Sequence, residues 1–254
     1  MWKTSFLGWA LASMLILTGS ASADTFAFTS AGSVTWNGVY VNPYQANDTT
    51  QTQHNPLTIY CDDWNTDFSG NPTWTATVYS LTASNVTNFK YGNTPSNYNV
   101  DLDTVNNTLS VTSSSTPTPF NRYLEAAWLD EQWLDAVTQG TATDEMQKKL
   151  AAAVWTLFVD ATHVNDPNGG LIGAINSSGY ATDVYNYLQE AQTEVTTGGY
   201  TAAGWDVIVP VGNNSNGGPM QEFLVHAPEP SAVILLGTVV GVLGLTKFRR
   251  KRRA

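Results

Sequence analysis

Cysteine and basic residues are scarce in this sequence of 254 residues. It contains one cysteine, Cys61, and it has 11 lysines and arginines against 21 aspartates and glutamates. A single cysteine cannot form a disulfide within the chain, which excludes a disulfide-stapled scaffold. Cys61 must therefore be buried, pair with another molecule or carry chemistry.

The few basic residues lie mainly at the two ends of the chain. The last eight residues contain six of them: Lys247, Arg249, Arg250, Lys251, Arg252 and Arg253. Between Asp24 and Pro230 there are only four basic residues but all 21 acidic ones, so this part carries a net charge of −17. Such a surface repels nucleic acid and anionic lipid, and it favours solubility. We therefore expect no nucleic-acid partner.

The N-terminus has the pattern of a secretory signal peptide. Lys3 precedes an almost wholly apolar stretch, residues 6–18, and Ala21 and Ala23 have the small-x-small spacing that signal peptidase recognises. The sequence predicts a signal peptide over residues 1–23 and a mature chain that begins at Asp24. A short membrane anchor is the alternative interpretation of the same stretch.

The C-terminus predicts a transmembrane helix. Residues 231–246 carry no charge, and as a helix they span roughly 24 Å, slightly less than the hydrocarbon core of a bilayer. Lys247 can extend the span by snorkelling. The basic residues after it are expected to stay in the cytoplasm, which places the body of the protein on the other side of the membrane.

The segment 227–254 closely resembles the PEP-CTERM sorting signal of Gram-negative bacteria. Pro228, Glu229 and Pro230 are followed by the uncharged stretch and then by the arginine-rich end, in the order of that family. The resemblance implies a temporary inner-membrane anchor that an exosortase, a membrane-embedded cysteine transpeptidase, removes. The product would pass to the cell surface or to an exopolysaccharide matrix. The resemblance concerns sorting and does not extend to the body.

The body, residues 24–226, is predicted to be a single α+β domain. Runs rich in Val, Thr, Ile and aromatic residues predict strands in its first part, which forms a sheet or a barrel-like structure. Helical spacing of apolar residues predicts about three helices in its second part. The strand-like stretches are residues 25–32, 34–41, 57–64 and 74–82, a short strand over 108–112, and closing strands over 205–211 and 222–227. The predicted helices cover about 119–139, 141–160 and 184–195.

Two further details follow from local patterns. The turn signal at Asn71 and Pro72 suggests that the strand after it pairs with the strand of Cys61. Thr141 and Asp144 have the spacing of a helix-capping signal. Residues 93–119 are rich in Ser, Thr and Asn, and we expect them to form loops apart from the short strand.

Cys61 is a poor candidate for a catalytic nucleophile. It is followed by Asp62 and Asp63, and negative neighbours raise the pKa of a thiol. The three histidines, His54, His163 and His226, are scattered along the chain. A buried core cysteine is the expected role.

Two short stretches of the body resemble bacterial thioester domains, in which a cysteine on a strand bonds to a glutamine on a helix. The strand residue is Cys61, and the helix motif ends at Trp155. Aligned on Trp155, the position of the glutamine acyl donor falls on Ala151. Gln147 lies one helical turn earlier, about 6 Å along the axis. The resemblance implies the thioester scaffold with the bond lost, and a Cys61–Gln147 thioester is the alternative.

Metal and sugar sites have weaker signals. Oxygen ligands occur at Asp62, Asp63 and Asp67, at Asp101 and Asp103, and at Asn165, Asp166 and Asn168, but none has the spacing of a calcium loop. We expect no metal and no cofactor. Trp36, Trp64, Trp74 and Tyr40 would suit either a sugar-stacking surface or a core. Two close carboxylates in a cleft would indicate a glycoside hydrolase.

Together these observations predict an exported, non-enzymatic structural or adhesion component. Its expected partners are signal peptidase, an exosortase-type transpeptidase, the inner membrane before processing, and an exopolysaccharide. The alternatives are a covalent adhesin with a live thioester and an extracellular carbohydrate-active enzyme.

Overall fold

The computed structural model describes residues 23–50, 56–62, 64, 70–93, 99–112, 118–159 and 170–226. Within these ranges the chain forms strands and helices that confirm the predicted α+β class. The strands are β1 (Ala23–Ser30), β2 (Thr35–Trp36), β3 (Val39–Tyr40), β4 (Tyr44–Asp48), β5 (Leu57–Cys61), β6 (Thr73–Ser80), β7 (Asn99–Asp103), β8 (Thr108–Thr112), β9 (Trp205–Pro210) and β10 (Phe223–His226). The α-helices are α1 (Pro119–Gln139), α2 (Asp144–Phe158), α3 (Leu171–Ser177) and α4 (Ala181–Thr193), which a π-helical turn (Glu194–Gly198) follows.

Six strands close into an antiparallel barrel in the order β1-β4-β5-β10-β9-β6. The pairs β2–β3 and β7–β8 form separate two-stranded sheets. The last two barrel strands, β9 and β10, come after the helices in the chain, as the predicted closing strands do. The helices are therefore an insertion between β8 and β9, and strands from both ends of the domain complete one barrel.

Residues alternate between the inside and the outside of the barrel, as the period of two in a strand requires. The inside is filled by Phe26, Phe28, Tyr44, Ala46, Ile59, Cys61, Trp74, Ala76, Ile208, Met220, Phe223 and Val225. The outward side chains of β5, β9 and β10, such as Tyr60, Val207 and Leu224, are buried by the helices. The core thus has two layers, one inside the barrel and one between the barrel and the helices.

The first two helices begin and end at local capping residues. The hydroxyl of Thr118 accepts a hydrogen bond from the N–H of Asn121, and Gly140 ends α1 with a left-handed φ of 69°. The predicted bounds of α1 are confirmed. The predicted cap of α2 is wrong, because Thr143 rather than Thr141 accepts from the N–H of Met146. The hydroxyl of Thr141 donates instead to the carbonyl of Ala136.

Strand pairing differs from the prediction in one respect. The strand after Asn71 and Pro72, β6, pairs with β1 and β9, whereas the strand of Cys61, β5, pairs with β4 and β10. The prediction failed because a local turn signal says nothing about a partner that comes from the end of the chain. The sequence also missed β4, β7 and the short helix α3. The strand Thr108–Thr112 is confirmed.

No helix in the described ranges combines the length and the apolarity that crossing a bilayer requires. The predicted transmembrane helix, residues 231–246, lies outside those ranges. The same holds for Pro228, Glu229 and Pro230, for the basic tail, and for Ala21 at the predicted signal cleavage site. Ala23 and Asp24 are the first residues of β1.

Candidate functional site at the junction of barrel and helices

Cys61 ends β5 at the point where the barrel meets α2. Cys61 is fully buried, and its side chain packs inside the barrel. The side chain of Asn42 holds its backbone from both sides: the N–H of Cys61 donates to Asn42 Oδ1 over 2.6 Å, and Asn42 Nδ2 donates to the Cys61 carbonyl over 2.9 Å. The indole Nε1 of Trp155 donates to the same carbonyl over 3.1 Å. The two short stretches that the sequence singled out therefore meet in space.

The other two residues of the thioester-like pattern, Ala151 and Gln147, lie on α2. Ala151 is buried in the layer between the barrel and the helices, together with Trp155. Gln147 is almost fully buried, and its Nε2 donates to the carbonyl of Val41 over 3.5 Å. In the described conformation the amide of Gln147 is thus bonded to a backbone carbonyl, whereas Cys61 packs with the residues inside the barrel.

A pair of buried carboxyl groups lies beside Cys61. Glu222 directly precedes β10, and the pairing of Phe223 with Cys61 brings Glu222 next to Asp62. Both acidic residues are fully buried. Glu222 Oε1 accepts from the hydroxyl of Tyr123 over 2.5 Å, and Oε2 accepts from the N–H of Lys90 over 2.7 Å. Burial raises the pKa of Glu222, while hydrogen bonds from Asp62, Lys90 and Tyr123 oppose the rise.

Asp62 and Glu222 are thus neighbouring buried carboxyl groups, and two ionised carboxylates at this distance would repel each other. Through Tyr123 and Lys90, Glu222 links the start of β10 to α1 and to the segment that follows β6. Sequence reasoning noticed Asp62 through its neighbour Cys61, but it missed Glu222, which looks like an ordinary residue at the start of a strand.

Further charged groups are buried on α1. Arg122 is 1% exposed and donates to the carbonyls of Tyr91 and Leu157, over 3.2 and 3.4 Å. Burial raises the pKa of Glu125 to about 8, and the charge of Arg122 opposes this rise. Burial also raises the pKa of Asp130 well above its usual range. At neutral pH the carboxyl group of Glu125 is therefore mainly protonated.

This arrangement does not match the cleft expected of a glycoside hydrolase. Two close carboxyl groups are present, but both are completely covered by the barrel and the helices. A general acid or base must come within hydrogen-bond reach of its substrate. In the described conformation, Asp62 and Glu222 bind protein groups on several elements and hold those elements together.

The four aromatic residues considered for sugar stacking do not form one surface, so that interpretation is wrong. Trp74 is inside the barrel, and Trp36 is buried against Trp155, with ring centroids 6.3 Å apart. Trp64 contacts both Trp36 and Trp155. Only Tyr40 is well exposed. They serve mainly as core, as aromatic residues in β-rich proteins often do.

The candidate metal ligands have structural roles where they are described. No group of three potential ligands comes together in the described ranges. Asp103 accepts hydrogen bonds from the N–H groups of Val105 and Asn106, and side-chain hydrogen bonding to Asn106 lowers its pKa. Asp63, Asp67, His54 and His163 lie outside the described ranges, as does the segment 165–168.

No protein-family model, curated protein or solved structure matches this chain.

The burial of Cys61 leads to a first prediction. Replacing Cys61 with alanine is expected to cost only about 1 kcal/mol or slightly more, because it removes one small atom from a packed interior. Chemical denaturation of the two proteins measures this difference. Labelling of the native thiol should be slow and should become fast in denaturant. Rapid labelling of the native protein would contradict the position inside the barrel.

Proposed function

We propose that this protein is an exported structural or adhesion component, without enzymatic activity, that an exosortase-type system sorts to the cell surface or matrix. The observation that carries the non-enzymatic role is the complete burial of Cys61 and Asp62, the chemical groups that the sequence marked most sharply. The high negative charge of residues 24–230 supports a soluble extracytoplasmic body.

The position of the domain ends supports the sorting proposal. The barrel strand β1 begins at Ala23, the predicted signal cleavage position, and β10 ends at His226, two residues before Pro228. Cleavage after Ala23 and near Pro228 would therefore leave the described barrel strands whole except for Ala23.

Processing gives the second prediction. The protein recovered from the cell surface should begin at Asp24 and should end near residues 228–230. N-terminal sequencing and the intact mass measure both ends. Surface protein that retains residues 248–254 would rule out removal of the C-terminal anchor.

The alternative of a covalent adhesin remains testable by mass. A thioester between Cys61 and Gln147 would release ammonia and lower the intact mass by about 17 Da. We expect the full sequence mass of the processed chain, because the acyl-donor position holds Ala151 and the amide of Gln147 bonds to the carbonyl of Val41. A mass deficit that disappears in Gln147→Ala would show that the thioester forms. Covalent adhesion would then replace the structural role as the proposed function.

A surface groove supports an adhesive role toward a saccharide polymer. The groove lies beside α1 and the end of α4, has a volume of about 300 Å³, and is lined by Trp128, Gln189, Glu190, Thr193 and Glu194. An indole ring beside amide, hydroxyl and carboxylate groups can stack on a sugar ring and bind its hydroxyl groups.

The groove gives the third prediction. Replacing Trp128 with alanine should weaken binding to polysaccharide purified from the surface of the producing cells by about tenfold or more. Val137→Ala, on an exposed position of the same helix, is the matched control and should bind like the original protein. Binding isotherms measure the effect. Equal binding by both variants would remove the groove from the adhesion proposal.

A further inference from the structure

The barrel fixes the direction in which the two ends of the domain leave it. β1 pairs with β6, β6 with β9, and β9 with β10, and each of these pairings is antiparallel. Three antiparallel steps make β1 antiparallel to β10. The beginning of β1 and the end of β10 therefore point toward the same end of the barrel.

The chain between this end and the proposed anchor is very short. β10 ends at His226, and the uncharged stretch begins at Ser231. Even fully extended, the five Cα–Cα steps from His226 to Ser231 reach at most about 18 Å. The headgroup region of one leaflet takes up roughly 5–7 Å of that distance. As long as residues 231–246 are in the bilayer, this end of the barrel cannot move far from the membrane surface.

The predicted leader reaches the same end of the barrel. Ala23 pairs with Thr77, and β6 continues beyond this pair to Ser80, in the direction from which β1 comes. The two membrane-linked segments thus adjoin one end of the domain. The other end of the barrel holds Cys61, the last residue of β5, and Phe223, the first residue of β10.

The exposed residues at this end are mainly small and polar, and they include Thr49, Thr50, Ser80 and Ser84. The hydroxyl of Thr49 donates to the carbonyl of Thr25, and the hydroxyl of Thr50 donates to Asp48 Oδ1 over 2.6 Å. Asp24 and Asp48 lie at the same end. The short connection to the anchor, rather than a charge attraction, would therefore keep this end at the bilayer.

We propose that the barrel end at which β1 begins and β10 ends is a membrane-facing surface, held against the bilayer headgroups until the anchor is cut. This inference rests on the proposed C-terminal anchor. It goes beyond sorting because it assigns one face of the domain to the lipid surface.

Two single-cysteine variants of the full chain, in a Cys61→Ala background, test the orientation. Ser84→Cys places a fluorophore near the proposed membrane face. The turn that contains Ser84 is held there because the N–H of Leu81 donates to the carbonyl of Trp205 and the side chain of Asn85 donates to the carbonyl of Ser80. Ser30→Cys places it at the other end of β1. β1 has eight residues and is tilted relative to the barrel axis, so its two ends are separated along that axis by roughly 20 Å. Energy transfer to a headgroup-labelled lipid in nanodiscs is measured for each.

The Ser84 label should transfer at least about twofold more efficiently than the Ser30 label, as the length of the barrel requires. Inserting twelve Gly and Ser residues between Ala227 and Pro228 should remove most of that difference. Equal transfer in the original chain, or stronger transfer from Ser30, overturns the orientation while leaving the anchor intact. A full chain that does not enter nanodiscs overturns the anchor and this inference together.

Discussion

Replacing Glu222 with alanine is expected to destabilise the domain by about 3–5 kcal/mol, the loss typical of breaking a buried charged network. The change removes the acceptor of the Tyr123 hydroxyl and of the Lys90 N–H. Each of these polar groups would then lose a hydrogen bond in a place that water does not reach. Chemical denaturation of the processed domain measures the change.

Two further variants distinguish the effect of the lost hydrogen bonds from the effect of the lost side-chain volume. Tyr123→Phe removes only the hydroxyl that donates to Glu222 and should cost about 1–3 kcal/mol. Glu190→Ala changes the same residue type at an exposed position of α4 and should stay within about 0.5 kcal/mol of the original protein. If Glu222→Ala behaved like Glu190→Ala, the carboxyl pair would not hold the barrel to the helices.

The domain should be more stable in mild acid than in alkali, by a few kcal/mol between pH 5 and pH 9. Burial raises the pKa of Glu125 from 4.5 to about 8, and it also raises the pKa of Asp130, Asp206 and Glu222. The folded state therefore keeps protons that the unfolded state has already released. The contribution of these protons to the free energy of unfolding is complete below about pH 4, and it is lost as the pH rises through the pKa values of the folded state.

Urea denaturation at several pH values measures this dependence. Glu125→Gln mimics the protonated side chain and should flatten the decline between about pH 5 and pH 8. The lowered pKa values of the exposed groups Asp103 and Glu145 act in the opposite direction, but only below about pH 4.5. A free energy of unfolding that rises from pH 5 to pH 8 would contradict the proposed protonation of the junction.

Some features of this protein could be predicted because their causes are local in the chain. The bounds of α1 follow from Thr118, Pro119 and Gly140, which set the backbone at either end whatever packs against the helix. Runs rich in Val, Thr, Ile and aromatic residues likewise predicted β1 and β5, and alternating side chains predicted β6. The terminal sorting signals are local patterns too, and the proposal of an exported protein depends on them.

The approach of Cys61 to the helix of Trp155, 94 positions away, was predicted from the resemblance to thioester domains and is confirmed. The contact of Glu222 with Tyr123, 99 positions away, could not be predicted, because no pattern in the sequence links these two distant residues. Closure of the barrel by β10 brings Glu222 beside Asp62 and turns the Cys61 side chain inward. A short pattern identifies a strand and its two faces, but strand partners and the burial of a carboxyl group depend on contacts that form only when the whole domain packs.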